Sequence, residues 1–197
     1  MTPGAAQGTP AALRLFFALW PAAPEQQELA QASAAGVADS LGRAIPAANL
    51  HVTLAFLGNV DPVRLAPLRA LAQDLAARNA VGPAPLQLHF QVLEHWVRPQ
   101  ILCATAGAAN PAARAAALAD GIRQATLAAG FVPDLKPFHA HVTVARKVTR
   151  APTQQKLPRV TWNCPAFALV ASTTSAAGSV YSVIESYPLD RSENARK

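Results

Sequence analysis

Runs of apolar residues along the chain alternate with segments in which apolar residues recur every three or four positions. The run LRLFFALW at 13–20 is rich in aromatic residues and is typical of a buried strand. The segment at 24–43 carries Leu29, Val37 and Leu41 on one stripe, which indicates an amphipathic helix. The whole pattern predicts strands at 13–20, 48–58, 86–96, 100–107, 139–146, 167–173 and 179–189, and helices at 24–43, 61–79 and 110–130. A basic, proline-containing loop is expected from 147 to about 160.

Two of the predicted helices begin with recognisable capping residues. Asp61 and the following Pro62 suit the N-cap and the first helical position, although Pro67 suggests that the regular helix begins there. Asn110 and Pro111 play the same parts for the third helix.

The order of elements repeats within the chain. A strand, a helix and a strand that opens with His-Val-Thr occupy 13–58, and the same order occupies 100–146. A duplicated unit related by an approximate two-fold axis would place the two His-Val-Thr motifs opposite each other across one cleft.

Each motif brings a histidine and a threonine to one face of a strand. Residues two apart on a strand share a face, so His51 lies beside Thr53 and His141 beside Thr143. A histidine can carry a proton near neutral pH, and a threonine hydroxyl can donate a hydrogen bond to an anion. Two such pairs across a cleft suit in-line displacement at phosphorus, in which one histidine takes a proton from the nucleophile and the other protonates the leaving oxygen.

Composition and charge add a candidate partner. Of 197 residues, 51% are hydrophobic and 14% charged, which predicts a packed core, and the formal net charge is +6. The stretch 136–184 contains no acidic residue. Its basic residues are Lys136, Arg146, Lys147, Arg150, Lys156 and Arg159. An anionic partner for this region is one interpretation and a solvated basic face is the other.

The cysteines and the chain ends bear on location. Cys103 and Cys164 have no metal-type spacing and are expected to be free thiols in a reducing compartment. No apolar run is long enough for a transmembrane helix, and the first residues do not have the pattern of a signal peptide. We therefore expect one domain at 13–190 between disordered tails at 1–12 and 191–197, in a cytoplasmic protein that is monomeric and does not act at a membrane.

Several residues near the motifs have alternative interpretations. His139 shares a strand face with His141, so the two could begin a metal site, but no third ligand lies nearby except Asp134; a rim position for His139 is the alternative. Arg146 lies five positions after His141, which turns it to the opposite face of a regular strand. A phosphate-binding role for Arg146 therefore requires a bulge or a strand end.

Other residues are candidates for binding RNA. Lys147 and Arg150, with Lys156 and Arg159, could follow a nucleic-acid backbone through charge. Phe17 and Phe138, together with Trp96, could stack a nucleobase, and each is also a candidate for the core.

The segments HVTLAFLG and FHAHVTVAR resemble the two signature motifs of the 2H phosphoesterase superfamily, and RLFFAL, IPAANLH and the final strands extend the resemblance over most of 13–189. The branch that the chain resembles is the bacterial RNA 2′,3′-cyclic phosphodiesterases, also called 2′-5′ RNA ligase-like proteins. The resemblance implies a bilobed α+β fold with two pseudo-symmetric, mainly antiparallel sheets, helices packed outside and a central cleft. It also implies that His51 and His141 are catalytic, that Thr53 and Thr143 hold the phosphate, and that Ser172 and Tyr181 lie near the cleft.

The paired motifs and this resemblance together predict hydrolysis of RNA 2′,3′-cyclic phosphate ends. The resemblance implies that the product is a 2′-phosphate and that no metal or other cofactor is needed. The substrate is an RNA end or a nucleoside cyclic phosphate, with His141 as the base on water and His51 as the acid. Three alternatives stay open from the sequence: a 2′-5′ RNA ligase or esterase, a small cyclic nucleotide phosphodiesterase, and a non-catalytic protein that binds RNA ends.

Overall fold

The structure of the chain is a computed structural model that describes residues 12–79, 86–106, 112–175 and 178–189. Side chains are described for these residues except 174, 175 and 178. Asn110, Pro111 and nearly all of the two predicted tails lie outside the described residues, so the predictions made for them are not addressed by the structure.

Two antiparallel sheets and three α-helices make up the described fold. The strands are β1 Leu13–Leu19, β2 Arg43–Ala44, β3 Val52–Val60, β4 Leu86–Trp96, β5 Ile101–Thr105, β6 His141–Arg146, β7 Lys156–Cys164, β8 Ala166–Ser175 and β9 Gly178–Pro188. The helices are α1 Ala23–Asp39, α2 Leu65–Asn79 and α3 Ala113–Ala128, with 3₁₀ turns at Ala47–Asn49 and Pro62–Arg64. The predicted α+β class with antiparallel sheets is confirmed.

The strand orders of the two sheets correspond to each other. The first sheet runs β3-β1-β8-β9, and the second runs β2-β6-β5-β4-β7. In both, the strand that carries a His-Val-Thr motif pairs with the strand that precedes the intervening helix. The internal repeat itself stays a prediction, with β3 and β6 as the corresponding strands.

The helices cross between the sheets. Helix α1 follows β1 of the first sheet but packs against β6 and β7 of the second. Helix α3 follows β5 of the second sheet but packs against β3 of the first, beside α2. One continuous apolar core results, with Leu15 and Phe17 from the first sheet and Leu93, Phe90 and Trp162 from the second. The opposite face of the first sheet carries a smaller cluster that includes Phe16, Ala168 and Val170.

The structure corrects several predicted boundaries, among them those of the basic loop and of the first two helices. The expected basic loop is a strand from residue 156 onward, because β7 pairs with β4 along the edge of the second sheet and buries Val160, Trp162 and Cys164 in alternation. Pro158 is tolerated there because an edge strand has one unpaired side. Helix α1 ends at Asp39 instead of continuing to residue 43, and α2 begins at Leu65, two residues before Pro67.

Asp61 caps the turn that precedes α2, as predicted. Its carboxylate accepts a hydrogen bond from the Val63 backbone N–H at 3.0 Å. The two cysteines are free and buried, and both lie in the second sheet, on β5 and β7.

Candidate active site

The two His-Val-Thr motifs line one cleft. His51 immediately precedes β3 and His141 opens β6, and these two strands contact each other where the sheets meet. Val52 and Val142 are buried behind them, so the alternation of a strand turns the histidines and threonines to the opposite face. His51, Thr53, His141 and Thr143 all line a cavity of about 230 Å³.

The two histidines are held in the same way. The Nδ1 of His51 lies 2.7 Å from the carbonyl oxygen of Asn49, and the Nδ1 of His141 lies 2.7 Å from the carbonyl oxygen of His139. A carbonyl oxygen can only accept, so Nδ1 carries the hydrogen in both rings. Nε2 of each neutral ring is therefore left with a lone pair that can take a proton.

Aromatic rings surround His51. Trp20 stacks on it with centroids 5.1 Å apart, Phe16 lies at 5.0 Å, and Tyr181 presents an edge at 5.1 Å. Burial is the main cause that lowers the pKa of His51 to about 4. The charges of His141 and Arg146 also lower this pKa, whereas the hydrogen bond to the Asn49 carbonyl acts to raise it. His51 is therefore neutral in the free protein at pH 7.

A carboxylate distinguishes the surroundings of His141. Burial lowers the pKa of His141 and His139 adds to this, while the hydrogen bond to the His139 carbonyl and the negative charge of Glu94 act in the opposite direction. Glu94 accepts hydrogen bonds from Thr105 Oγ1 at 2.7 Å and from Trp96 Nε1 at 3.1 Å. The Trp96 ring in turn contacts the His141 ring, with centroids 4.5 Å apart.

The two threonines differ in the residue that pairs with each on the neighbouring strand. Thr143 shares a hydrogen bond with the buried thiol of Cys103, which pairs with it across β5 and β6. Thr53 pairs with Ala18 of β1, which has no polar side chain. Both hydroxyls line the cleft beside their histidines, where they can donate to an anionic oxygen.

A bulge follows the threonine in each motif. The register of β1 against β3 shifts so that Leu54 is the extra residue, and the register of β5 against β6 shifts so that Val144 is extra. Because of these bulges, the residue five positions after each histidine returns to the cleft face. That residue is Phe56 on β3 and Arg146 on β6, and both line the cavity. The bulge that a cleft-facing Arg146 required is therefore present.

The remaining predicted cleft residues have mixed outcomes. Ser172 and Tyr181 line the cavity. Phe17 is fully buried in the main core against Phe167, so its assignment as a stacking platform is wrong. Phe138 is partly buried and packs against the main core, and it does not line the cleft.

The predicted basic residues separate into two groups. Arg146 lines the cleft, and Lys147 lines a groove that adjoins it. Arg150 instead pairs with Asp39 at the end of α1, with Nη2 2.5 Å from Oδ1, so it acts in the fold and not in the cleft. Lys136 pairs with Asp134 at 3.1 Å.

Several cleft residues were not predicted from the sequence. They are Arg14, Phe16, Ile45, Asn49, Phe56 and Ser179, with Trp20 stacked behind His51. The guanidinium of Arg14 lies over the Phe56 ring, 4.9 Å from its centroid. A signal for Phe16 was present, because Leu13, Leu15 and Leu19 share the alternation of Phe17 and leave the neighbouring positions to the other face.

Among the described residues, no group of three or more His, Cys, Asp or Glu side chains is arranged to hold a metal ion. His139 is exposed, and its ring lies 6.4 Å from that of His141 between centroids. Within the same described part of the chain, no helix has both the length and the apolarity to cross a bilayer.

Comparison with known proteins finds relatives over most of the chain. The model of the 2′-5′ RNA ligase superfamily matches residues 20–175. A relative from Escherichia coli named RNA 2′,3′-cyclic phosphodiesterase is 27% identical over 178 residues, covering 89% of this chain and 96% of the relative. A relative of the same name from Thermus thermophilus is 32% identical over 193 residues, covering 94% of each chain.

Solved structures have the same fold. The crystal structure of E. coli LigT complexed with 3′-AMP is 25% identical and superposes with a TM-score of 0.77, covering 90% of this chain and 98% of the other. The crystal structure of TT0787 from T. thermophilus is 27% identical, with a TM-score of 0.72, and covers 89% of this chain and 97% of the other.

Proposed function

This chain belongs to the 2′-5′ RNA ligase superfamily, and from that premise we propose that it hydrolyses the 2′,3′-cyclic phosphate at RNA ends. The product is a 2′-phosphate with a free 3′-hydroxyl, and the reaction needs no metal. The relatives named RNA 2′,3′-cyclic phosphodiesterase support this substrate class.

One observation carries the proposal above the others. Two imidazoles line the same cavity, each has its Nδ1 on a carbonyl oxygen two residues earlier, and each has a threonine beside it. This leaves two equivalent Nε2 atoms and two hydroxyls for one anionic group. Such a pair can serve both ends of an in-line displacement, which neither histidine can do alone.

The reaction balances with one water molecule. A water oxygen attacks phosphorus while one histidine takes its proton, and the P–O3′ bond breaks as the other histidine gives a proton to the 3′-oxygen. Thr53 and Thr143 donate hydrogen bonds to the phosphate oxygens that do not react, and Arg146 balances their charge. The two histidines end with exchanged protonation states and return to their starting states through solvent.

The charges around the rings favour a role for each histidine opposite to the one expected from the sequence. His51 meets the cationic neighbours His141 and Arg146, which oppose its protonation, so it suits the proton acceptor. His141 also has a cationic neighbour, His139, but of the two rings it is the one with a carboxylate, Glu94, that favours its charged form, so it suits the proton donor better than His51 does.

Replacing either histidine with alanine tests the proposal. We expect His51→Ala and His141→Ala each to lower kcat for a nucleoside 2′,3′-cyclic phosphate by about 10² to 10⁴-fold, the usual contribution of a general acid or base. The double variant should lose less than the product of the two single losses, because the pair acts as a unit. His139→Ala is the matched control, because His139 is an exposed histidine whose ring lies near that of His141 but does not line the cleft. Turnover near the wild-type rate in either single variant would remove the two-histidine mechanism.

A substrate with an activated leaving group tests the roles. A nucleoside 2′-(p-nitrophenyl phosphate) releases p-nitrophenolate without a proton donor, so the variant that lacks the acid should recover most of its activity on it. We expect recovery in His141→Ala and none in His51→Ala. Recovery in His51→Ala alone would restore the assignment first expected from the sequence.

Metal independence has a separate test. Activity on the cyclic phosphate should be unchanged by dialysis against EDTA and by later addition of Zn²⁺ or Mg²⁺. Activity that is lost on chelation and restored by one of these ions would contradict the mechanism.

A further inference from the structure

A groove continues from the cleft beyond the catalytic residues. It is lined by Arg43, Ala44, Ile45, Pro46, Asn49, Arg146, Lys147, Ser179 and Tyr181. Ile45, Asn49, Arg146, Ser179 and Tyr181 line the cleft as well. Arg43 and Lys147 line the groove and do not line the cleft, so they lie beyond the place of the reacting phosphate.

The pairing of β2 with β6 builds this groove. Arg43 pairs with Arg146 across the two strands, and the Ile45 N–H continues the ladder with a 2.8 Å hydrogen bond to the Val144 carbonyl. Lys147 follows β6 with a φ of 55°, so the chain turns sharply at this point. Three cationic side chains therefore gather at the end of β6 that is farthest from His141.

The lining suits a nucleotide chemically. Arg43, Arg146 and Lys147 supply positive charge, and no acidic side chain is found among the described residues that line the groove or the cleft. Ile45, Pro46 and the ring of Tyr181 supply apolar surface between the charges. Positive charge beside apolar and aromatic surface is the combination that binds the backbone and the bases of single-stranded nucleic acid.

The reaction itself leaves only one direction for the rest of the RNA. The cyclic phosphate occupies the 3′ end of the strand, so the chain continues from the 5′ side of the reacting nucleotide. The strand must then leave the cleft, and the groove is a continuation of it that carries the opposite charge. We propose that this groove binds the nucleotide that precedes the reacting end of an RNA strand, with Arg43 and Lys147 on its backbone phosphate. This inference rests on the proposed function and makes an RNA end a better substrate than a free nucleotide.

The test compares two substrates on three proteins. The substrates are a nucleoside 2′,3′-cyclic phosphate and a trinucleotide that ends in the same group. The proteins are the wild type, the double variant Arg43→Gln/Lys147→Asn, and the control Arg78→Gln/Arg98→Gln, which loses the same charge at exposed positions outside the groove. Asparagine is used at 147 because it tolerates a positive φ.

We expect the ratio of kcat/KM for the trinucleotide to that for the mononucleotide to fall about tenfold or more in the groove variant, since a charge-assisted contact is lost. The control should keep the wild-type ratio. The dependence of the trinucleotide kcat/KM on salt should weaken in the groove variant by about 0.7 in the log–log slope for each lost phosphate contact. A ratio in the groove variant equal to that of the wild type overturns the proposal.

A binding measurement tests the groove independently of whether the protein hydrolyses the cyclic phosphate. If the wild type turned over neither substrate, the proposed function would fail, and the groove would be judged by fluorescence anisotropy with a labelled trinucleotide 2′-phosphate. Weaker binding to the groove variant than to the control supports the groove, and equal binding overturns it.

Discussion

At the scale of single residues, the two cleft histidines make the same kind of backbone contact, each with the carbonyl oxygen two residues earlier, and differ in the charges around them. Aromatic rings enclose His51, and its charged neighbours are cations. His141 has the carboxylate of Glu94 as well as the imidazole of His139. The two proton-transfer steps of the proposed reaction therefore have different pH requirements, although the two motifs have the same sequence.

The pH dependence of kcat/KM should be bell-shaped with its maximum below pH 6.5. The acceptor His51 must be neutral, so activity falls as the pH drops through its pKa of about 4. The donor His141 must be charged, so activity falls as the pH rises through its pKa, which lies below the ordinary value of 6.5. Two unperturbed histidines would instead put both limbs near about 6.5. A kcat/KM maximum above pH 7 would contradict these protonation states.

Replacing Glu94 with glutamine should move only the alkaline limb of this profile. The amide oxygen can still accept from Trp96 Nε1, and the amide NH2 can donate to Thr105 Oγ1. The substitution removes the charge that favours protonated His141, so the limb shifts to lower pH and kcat/KM at pH 7 falls. His139, Arg146 and His51 are the other charged or titratable groups near His141, and they stay unchanged. Glu28→Gln on the exposed side of α1 is the control. An alkaline limb that did not move would leave Glu94 a structural acceptor.

At the scale of elements, one glycine allows α1 to lie close to β4. A Cβ at Gly36 would lie 2.3 Å from Leu93 Cδ1, a buried atom. A Cβ at Gly121 in α3 would meet its nearest neighbour, Leu75 Cδ2, at an ordinary 3.9 Å. Both helices would gain about 0.5–1 kcal/mol from alanine in place of glycine, but overpacking at Gly36 costs about 1–3 kcal/mol.

We therefore expect Gly36→Ala to lower the free energy of unfolding and Gly121→Ala to raise it by about 0.5–1 kcal/mol. Urea unfolding at fixed pH measures both. Equal stabilisation by the two substitutions would show that Leu93 moves aside at no cost, and that the distance between α1 and β4 is not set by this contact.

The elements also show how far the sequence could predict the site. The alternation of a strand was enough to place His51 with Thr53 and His141 with Thr143 on one face. It could not place Phe56 and Arg146, because the bulges at Leu54 and Val144 depend on the pairing partner and leave no periodic signal.

Strand β7 was missed for a different reason. Pro158 and the neighbouring basic residues are typical of a loop, and only pairing with β4 at the edge of the sheet makes a strand of them. The groove was missed for the same kind of reason, since Arg43 and Lys147 are 104 positions apart in the sequence and meet only through the pairing of β2 with β6. Local patterns predicted most elements, whereas contacts distant in sequence decided what joins them.

At the scale of the whole molecule, the crossing of the helices joins the two sheets. Helix α1 follows a strand of the first sheet and covers the second, and α3 follows a strand of the second sheet and covers the first. Neither sheet can therefore expose its core face without losing contact with a helix that is connected to the other sheet. We expect a single cooperative unfolding transition in urea. Tryptophan fluorescence, which reports Trp20, Trp96 and Trp162, and far-ultraviolet circular dichroism should give the same midpoint. Two separated midpoints would show that the sheets unfold independently.

The buried thiols have a consequence for measuring how the native protein opens. Burial raises the pKa of both Cys103 and Cys164 to about 12, so a thiol reagent modifies them only when the surrounding structure opens. Cys164 lies on β7 at the edge of the second sheet, whereas Cys103 lies on β5 between two strands. The two labelling rates therefore measure the opening of two different parts of the same molecule. Cys164 should be labelled first, through partial opening of the edge, and Cys103 only with global unfolding. A nucleotide bound in the cleft should lower the labelling rate of Cys103 as the occupied fraction of the cleft rises. The labelling rate would then report binding without any turnover.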